Sequence, residues 1–314
     1  MKYLIKSALL CLYVAISGQA LAKSSISDDK FRQLEENLPT PNTYRTASGA
    51  PGHQYWQQDV DYKIDIILND EKQTLSGRET LDYTNNSPDT LRYLWMQLDQ
   101  NKLATNASAK TTSTAPAKKV TYRGLRNAIA TDAFKGGYDI TKVTGSNGKD
   151  LSYVINGTMM RIDLPKALKS GDNVELNINW NYQLHEQKVL GGRSGYEYFK
   201  ADDNYLYEVA SWFPRAAAYY DVMGWQNKQF IGSGEFTLEF GDYDVSITVP
   251  ADHIVAATGV LQNPKDVLSK TQRNRLAKAK TADKPVLVVT PKEALTNEKS
   301  RSAKTKTWQF AAKN

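Results

Sequence analysis

The stretch NVELNINWNYQL, residues 173–184, alternates strictly between polar and apolar side chains. Its apolar set is Val174, Leu176, Ile178, Trp180, Tyr182 and Leu184. Successive side chains of a β-strand point to opposite faces, so a period of two places the whole set on one face. A helix would scatter the same residues around its circumference. The stretch therefore predicts a half-buried strand.

Three earlier segments carry strand signals separated by short polar turns. DYKIDIIL (61–68) and SGRETLDYT (76–84) alternate, whereas LRYLWMQL (91–98) is apolar on both faces, which is typical of a central strand. Together they predict an antiparallel meander. Further strands are predicted at 138–143, 151–155, 159–164, 235–240, 243–250, 253–259, 286–290 and 306–310.

This pattern predicts a mainly β protein, an antiparallel β-sandwich or saddle. Helices are expected only near the C-terminus, at about 264–280 and 291–299. The small and polar run ATNASAKTTSTAPAKK (104–119) is typical of a surface loop.

The first 22 residues have the features of a secretory signal peptide. Lys2 and Lys6 precede an apolar run, and Ala20-Leu21-Ala22 supplies small residues at the cleavage spacing. We expect cleavage after Ala22, a secreted or periplasmic protein, an extended lead-in at 23–54 and one β domain at 55–314. The single cysteine lies within the signal, so no disulfide is expected.

Composition argues against two classes of protein, those that bind nucleic acid and those that span a membrane with helices. Forty Lys and Arg against 34 Asp and Glu give a modest net charge of +6, which does not indicate a nucleic-acid partner. After the signal, no segment is apolar for the roughly 18 residues that a membrane span requires.

HEQKV (185–189) resembles the HExxH zinc motif, but Val189 stands where the second histidine should be. That motif needs a helix to bring both histidines to one metal, and His185 follows a predicted strand. The other histidines, His53 and His253, are far away in sequence. We therefore expect a hydrogen-bonded or exposed histidine here and no metal site in this chain.

Residues 205–264, from YLYEVASWFPR to VLQNP, carry a family resemblance. They combine Phe213-Pro214, Asp221 and a Val249-Pro250 segment that runs on to Gly259. With residues 62–98, this order of blocks resembles the N-terminal domain of the aminopeptidase N family of zinc metallopeptidases, bacterial branch. The resemblance covers about residues 50–310.

The resemblance implies a saddle-shaped β domain that packs on a thermolysin-like catalytic domain. In the family, HExxH, a downstream Glu ligand and the zinc belong to that second domain, which is expected after residue 314. This chain would then be a non-catalytic N-terminal domain, inactive alone, that forms one wall of the peptide-binding cleft. Its partners would be its own C-terminal catalytic domain and the N-terminus of a peptide substrate.

By position in the family, a polar side chain before the Phe-Pro loop helps to hold the substrate's amino end. Glu208 or Ser211 would do this here, with Trp212 and Arg215 near the rim of the cleft. This chain departs from the commoner family pattern, which has a glutamine in a longer segment there. The alternative is that the aromatic residues around the loop simply pack between domains: Trp212, Phe213, Tyr219, Tyr220 and Trp225.

A rival interpretation from another class is a stand-alone secreted β-sandwich module that binds peptide or carbohydrate or acts as a scaffold. Such a module would need Trp180, Trp212 or Trp225 exposed as a binding platform.

Overall fold

The computed structural model describes residues 41–112, 119–232 and 234–313. The predicted signal peptide (1–22) and most of the predicted lead-in (23–54) lie outside these ranges. The chain divides into two compact units. One contains the residues up to Tyr55 with Asp221–Gly224, and the other contains Trp56–Tyr220 and Trp225–Asn314.

The described residues form mainly strands. The strands are β1 (Asp59–Asn69), β2 (Thr74–Thr84), β3 (Leu91–Gln97), β4 (Asp139–Gly145), β5 (Tyr153–Asn156), β6 (Met159–Leu168), β7 (Asn173–Gln183), β8 (Gly195–Phe199), β9 (Asn204–Glu208), β10 (Arg215–Ala216), β11 (Tyr219–Tyr220), β12 (Gly224–Trp225), β13 (Tyr243–Pro250), β14 (Val260–Leu261) and β15 (Thr305–Ala312). The helices are a 3₁₀ turn at Asp99–Leu103, then α1 (Ser108–Thr111), α2 (Tyr122–Ala133), α3 (Gln187–Leu190), α4 (Pro264–Val267), α5 (Lys270–Ala279) and α6 (Pro291–Asn297). In the ranges that the structure describes, none of these helices has the length and apolar character needed to cross a membrane.

A seven-stranded sheet with the order β14-β15-β13-β1-β2-β7-β4 dominates the larger unit. At its centre β2 pairs antiparallel along its whole length with β1 on one side and β7 on the other. Strand β1 pairs in parallel with β13, so the sheet is mixed. The predicted meander is wrong at its third strand, because β3 leaves for a second sheet of order β10-β3-β6-β5.

One core fills the space inside the larger unit, and the alternating strands supply it. Strands β1 and β7 each bury the apolar face that their sequences predict, including Ile64, Leu176 and Ile178, which have no exposed surface. The second sheet contributes Leu94 and Ile162 to the same cluster. The predicted mainly β, sandwich-like fold is confirmed.

Three predicted strands are wrong. Residues 235–240 contribute a single bridge, between Phe240 and Asp59. Residues 253–259 make no strand, and Gly259, with φ at +94°, directly precedes β14. Residues 286–290 form no strand either, and the last of them caps α6. The Thr290 side chain accepts a hydrogen bond from the backbone N–H of Glu293.

The helices also differ from prediction. The segment 264–280 breaks between α4 and α5, where Ser269 and Gln272 form a reciprocal capping box that starts a new helix. The prediction missed α2, which buries none of its side chains; its apolar residues Leu125 and Ile129 are more than half exposed. Of the predicted loop 104–119, the described part contains α1, and residues 113–118 lie outside the described residues.

Gly77 provides a sharp test of the packing between β2 and β7. It is directly opposite Trp180, and a Cβ at this position would lie 2.3 Å from Cζ2 of the indole. We expect Gly77→Ala to lower the free energy of unfolding by about 1–3 kcal/mol, because the large ring has no room to move in a filled core. Urea unfolding measures the change. Gly145→Ala is the matched control, since its Cβ would make only ordinary contacts; an equal loss in both variants would contradict the argument.

The buried carboxyl group of Glu79 makes the stability of the protein depend on pH. It is 2% exposed on β2, and among the described residues neither carboxylate oxygen has a hydrogen-bond partner. Burial raises the pKa of Glu79 well above its ordinary value of 4.5; the nearby indole N–H of Trp180, which does not reach hydrogen-bond geometry with the carboxylate, offsets this only in part. The folded state therefore holds a proton that the unfolded state releases as the pH rises above about 4.5.

We thus expect Glu79 to make the protein less stable as the pH rises from 5 to 8, with a slope of up to about 1.4 kcal/mol per pH unit. Glu79→Gln should remove this component of the slope, because the amide does not titrate. Urea unfolding at several pH values measures it. Glu71→Gln, at an exposed turn, should keep the parent slope, and parallel curves for all three proteins would contradict the assignment.

Candidate functional site

Residues 211–215, SWFPR, form a fixed connection between the hairpin of β8 and β9 and the second sheet. Ser211 adopts a left-handed backbone conformation with φ at +51°. Its carbonyl oxygen accepts hydrogen bonds from Gln100 Nε2 at 3.0 Å and from the Tyr138 hydroxyl at 3.1 Å. Arg215 then pairs with Gln97 at the end of β3. This segment is therefore held at both ends by hydrogen bonds to residues that are distant in sequence.

A large apolar cavity, here called the sheet cavity, lies on one side of this segment. Its volume is about 1250 Å³. The seven-stranded sheet forms its floor with Ile66, Val245, Ile247, Val249 and Phe310, and strand β9 and residues 252–258 line it as well. Trp212, Phe213 and Arg215 also line it. The residues predicted as a strand at 253–259 therefore serve mainly as cavity wall.

One polar pair lies in this mostly apolar lining. His253 Nδ1 is 3.1 Å from Asp252 Oδ1, and Asp252 Oδ2 also accepts the backbone N–H of Ser302 at 2.6 Å. His253 Nε2 is buried without a hydrogen-bond partner among the described residues. Asp252 is thus positioned by the backbone and in turn orients the imidazole.

A much smaller polar cavity of about 230 Å³ lies beside the first, and we call it the polar pocket. Arg215 lines both cavities. In the polar pocket Arg215 forms an ion pair with Asp99, and Arg193 forms one with Glu235. Arg215 Nη2 also approaches Gln97 Oε1 at 3.5 Å. The charges of the two acidic and two basic side chains cancel, so the pocket has no formal net charge.

The structure brings together three of the four residues predicted for the rim. Ser211 and Arg215 line the polar pocket, and Trp212 and Arg215 line the sheet cavity. Glu208 ends β9 in an exposed position opposite Gly195 and is part of neither lining. Sequence reasoning missed Gln97 and Asp99, although the polar residues at and just after the end of the apolar strand β3 were a usable signal.

The aromatic residues around the segment pack closely. Trp212 is half-buried, with its ring centroid 4.7 Å from that of Phe213 and 6.2 Å from that of Trp180. Tyr219 and Trp225 are also half-buried, 5.0 Å apart. Trp180 is only 2% exposed, so it is not available as a binding platform.

Asp221, the acidic residue of the family-like block, belongs to the smaller unit. It is 8% exposed and accepts hydrogen bonds from Arg45 Nε at both carboxylate oxygens, at 2.9 and 3.0 Å. The Arg45 guanidinium also lies over the ring of Tyr55, 5.1 Å from its centroid. In this unit Asp221 therefore has a structural partner of opposite charge.

The HEQKV segment does not offer a zinc site. His185 is buried two residues beyond β7, its Nε2 lies 3.0 Å from the carbonyl oxygen of Gly191, and burial lowers its pKa. Residues 187–190 form one helical turn that ends at Gly191, whose φ is +72°. Within the described ranges no three His, Cys, Asp or Glu side chains are grouped to hold a metal.

Comparison with known proteins gives matches among solved structures alone. No family model and no curated protein matches the chain. The chain is similar to an M1 zinc metallopeptidase from Deinococcus radiodurans, with 13% identity and a TM-score of 0.39 over 83% of this chain and 40% of that one. A mutant of that enzyme with a bound Tyr-Ser-Ala substrate matches with 13% identity and a TM-score of 0.38, over 81% of this chain and 39% of that one. The chain thus spans about two fifths of the length of these structures.

Arg215 should be important for stability because its partner is buried. Asp99 is 4% exposed, so Arg215→Met would leave a carboxylate without its counter-ion in the interior. We expect a loss of about 3 kcal/mol in the free energy of unfolding, measured with urea. Adding Asp99→Asn should recover part of it. Arg78→Met removes a solvent-exposed pair with Asp65 and should cost no more than about 1 kcal/mol; equal losses for both arginines would contradict the argument.

Proposed function

We propose that this chain is the non-catalytic N-terminal domain of a secreted, zinc aminopeptidase-like metallopeptidase. It would form one wall of the peptide-binding cleft and pack against the enzyme's catalytic domain. The observation that carries the proposal is the segment 211–215, which lies in the family-like block of sequence and separates an apolar cavity from a polar pocket.

Such a wall suits a peptide, which presents apolar side chains and a polar backbone together. The sheet cavity provides apolar surface beside Trp212 and Phe213, and the polar pocket provides hydrogen-bonding groups beside Ser211 and Arg215. In this proposal Glu208 remains free at the end of the hairpin to meet the substrate's amino group through a charge-assisted hydrogen bond. The catalytic domain would hold the zinc and supply the attacking water.

The rim of the sheet cavity supports a docking role. Four large apolar side chains in its lining are between 37% and 49% exposed: Phe199, Leu206, Val209 and Ile254. A cluster of exposed apolar residues of this kind is typical of a surface that contacts another domain or protein. In the proposal this rim is covered by the catalytic domain.

Two measurements test the proposal together. The first is the intact mass of the protein isolated from its source, and the second is turnover of an aminoacyl p-nitroanilide with and without a zinc chelator. We expect a mass well above 35.2 kDa, turnover that the chelator abolishes, and no turnover by the chain of 314 residues alone. Chelator-resistant turnover by that chain, or a source protein of its size without turnover, would contradict the proposal.

The second candidate is the stand-alone binding or scaffold module. The half-buried Trp212 next to an open cavity favours it, because a ligand there would change the environment of the indole. A saturable change in tryptophan fluorescence with peptide or oligosaccharide, absent in Trp212→Phe and kept in Trp56→Phe, would support this module if the source protein has the mass of a single domain.

A further inference from the structure

Helix α2 packs against the larger unit with its small and polar side. Asn127, Ala130 and Thr131 lie on one side of the helix and are partly buried, and α2 lies against α3. Just after the helix, the ring of Phe134 is edge-on to that of His185, with 6.0 Å between the ring centroids. The helix is therefore attached by its small and polar side chains and by one aromatic residue at its end.

The opposite side of α2 presents an apolar stripe to solvent, here called the α2 stripe. Its members Tyr122, Leu125 and Ile129 have the spacing of one helical face, and they are 95%, 51% and 62% exposed. Val120, two residues before the helix, is 57% exposed as well. A surface helix ordinarily turns its apolar side towards the core and its polar side towards water. The reversed arrangement in α2 indicates that another surface covers the stripe.

Basic residues border the α2 stripe. Arg123 and Arg126 follow one edge of it, Lys119 and Lys135 flank the two ends of the helix, and all four are exposed. The ion pairs found among the described residues involve none of the four. The stretch 119–135 contains four bases and one acid, so its net charge is +3. A surface that complements it combines an apolar layer with negative charge.

An anionic lipid bilayer fits these features better than a protein does. The stripe is a narrow ridge along one helix of 12 residues, and a bilayer surface accepts such a ridge without a matching groove. Tyr122, in the first turn, has the aromatic ring and the hydroxyl group that are typical of the boundary between lipid and water. A second copy of the chain would instead bring the same basic residues face to face, and like charges repel.

We propose that α2 binds the surface of an anionic lipid membrane. The α2 stripe inserts among the lipid head groups, and Arg123 and Arg126 contact the lipid phosphates. The helix lies along the membrane and does not cross it. The linings of the sheet cavity and of the polar pocket contain no residue of α2, so this surface lies outside the candidate site. The proposal does not depend on the proposed function.

Sedimentation of the full chain with sucrose-loaded vesicles tests the proposal. One set of vesicles contains equal parts of phosphatidylcholine and phosphatidylglycerol, and the other contains phosphatidylcholine alone. We expect saturable binding to the anionic vesicles, much weaker binding to the neutral ones, and a loss of affinity as sodium chloride screens the charges. Absence of binding to both sets, or equal binding to both, would overturn the proposal.

Leu125→Ser combined with Ile129→Ser tests the apolar stripe. We expect binding to the anionic vesicles to weaken at least about tenfold, because two inserted apolar side chains are lost. Leu287→Ser combined with Leu295→Ser is the matched control: these leucines are 63% and 56% exposed, and the variant should keep the parent affinity. Urea unfolding verifies that both variants fold. Parent-like binding by the α2 variant would place the lipid contact elsewhere in the chain, the apolar run at its N-terminus included, and would overturn the proposal.

Arg123→Gln combined with Arg126→Gln tests the basic border. We expect about fivefold weaker binding for each charge removed, and so about 25-fold for both. Arg92→Gln combined with Lys166→Gln is the matched control, because it removes two exposed charges from the second sheet and should weaken binding far less. Equal losses in the two double variants would indicate an effect of overall charge and would overturn the assignment to α2.

Two further outcomes would assign the α2 stripe to a protein partner. Sedimentation velocity without lipid would show a dimer that Leu125→Ser with Ile129→Ser abolishes, if the stripe joined two copies of the chain. A source protein longer than this chain that fails to bind the anionic vesicles would show that another domain covers the stripe. Either result would overturn the membrane assignment, and neither would change the chelator test of the proposed function.

Discussion

The packing of Trp180 over Gly77 is the contact on which the arrangement of the larger unit depends. The indole occupies the space that a side chain on β2 would fill, which lets β2 and β7 pair without interruption. The same ring lies 5.7 Å from Tyr138 and 6.2 Å from Trp212, measured between centroids. Tyr138 in turn donates to the carbonyl oxygen of Ser211. The centre of the sheet is therefore connected by direct contacts to the segment that separates the two cavities.

Alternation in the sequence predicted those strands that bury one face only. Strands β1, β2 and β7 were found because an apolar residue at every second position has one physical explanation in a sheet. Residues 253–259 have a similar composition but line a cavity, and local sequence does not distinguish the wall of a cavity from a strand. The hairpin of β8 and β9 was missed although its four tyrosines share one face, because each strand has only five residues and so offers few alternations.

The candidate site was also predictable from the sequence only in part. Ser211, Trp212 and Arg215 are neighbours in sequence, so a resemblance over one block was enough to group three of the predicted residues. Gln97 and Asp99 lie 118 and 116 positions from Arg215, and only the pairing of β3 with β10 brings them together. Glu208 belongs to the same block of sequence, yet it ends β9 in an exposed position and lines neither cavity. Long-range strand pairing thus determines the chemistry of the pocket, and a single sequence does not reveal it.

The parallel pairing of β1 with β13 also has a consequence for how the chain folds. Asp61 and the backbone N–H of Asp242 that it binds are 181 positions apart, so β1 keeps an open edge until nearly the whole domain has been synthesised. Contacts between such distant segments form slowly, because a long loop must close before they contribute. In the meantime the unpaired N–H and C=O groups of β1 are available to any other extended chain. The order of synthesis therefore exposes this domain to misassembly at one particular strand, and a chaperone that acts early would have its greatest effect there.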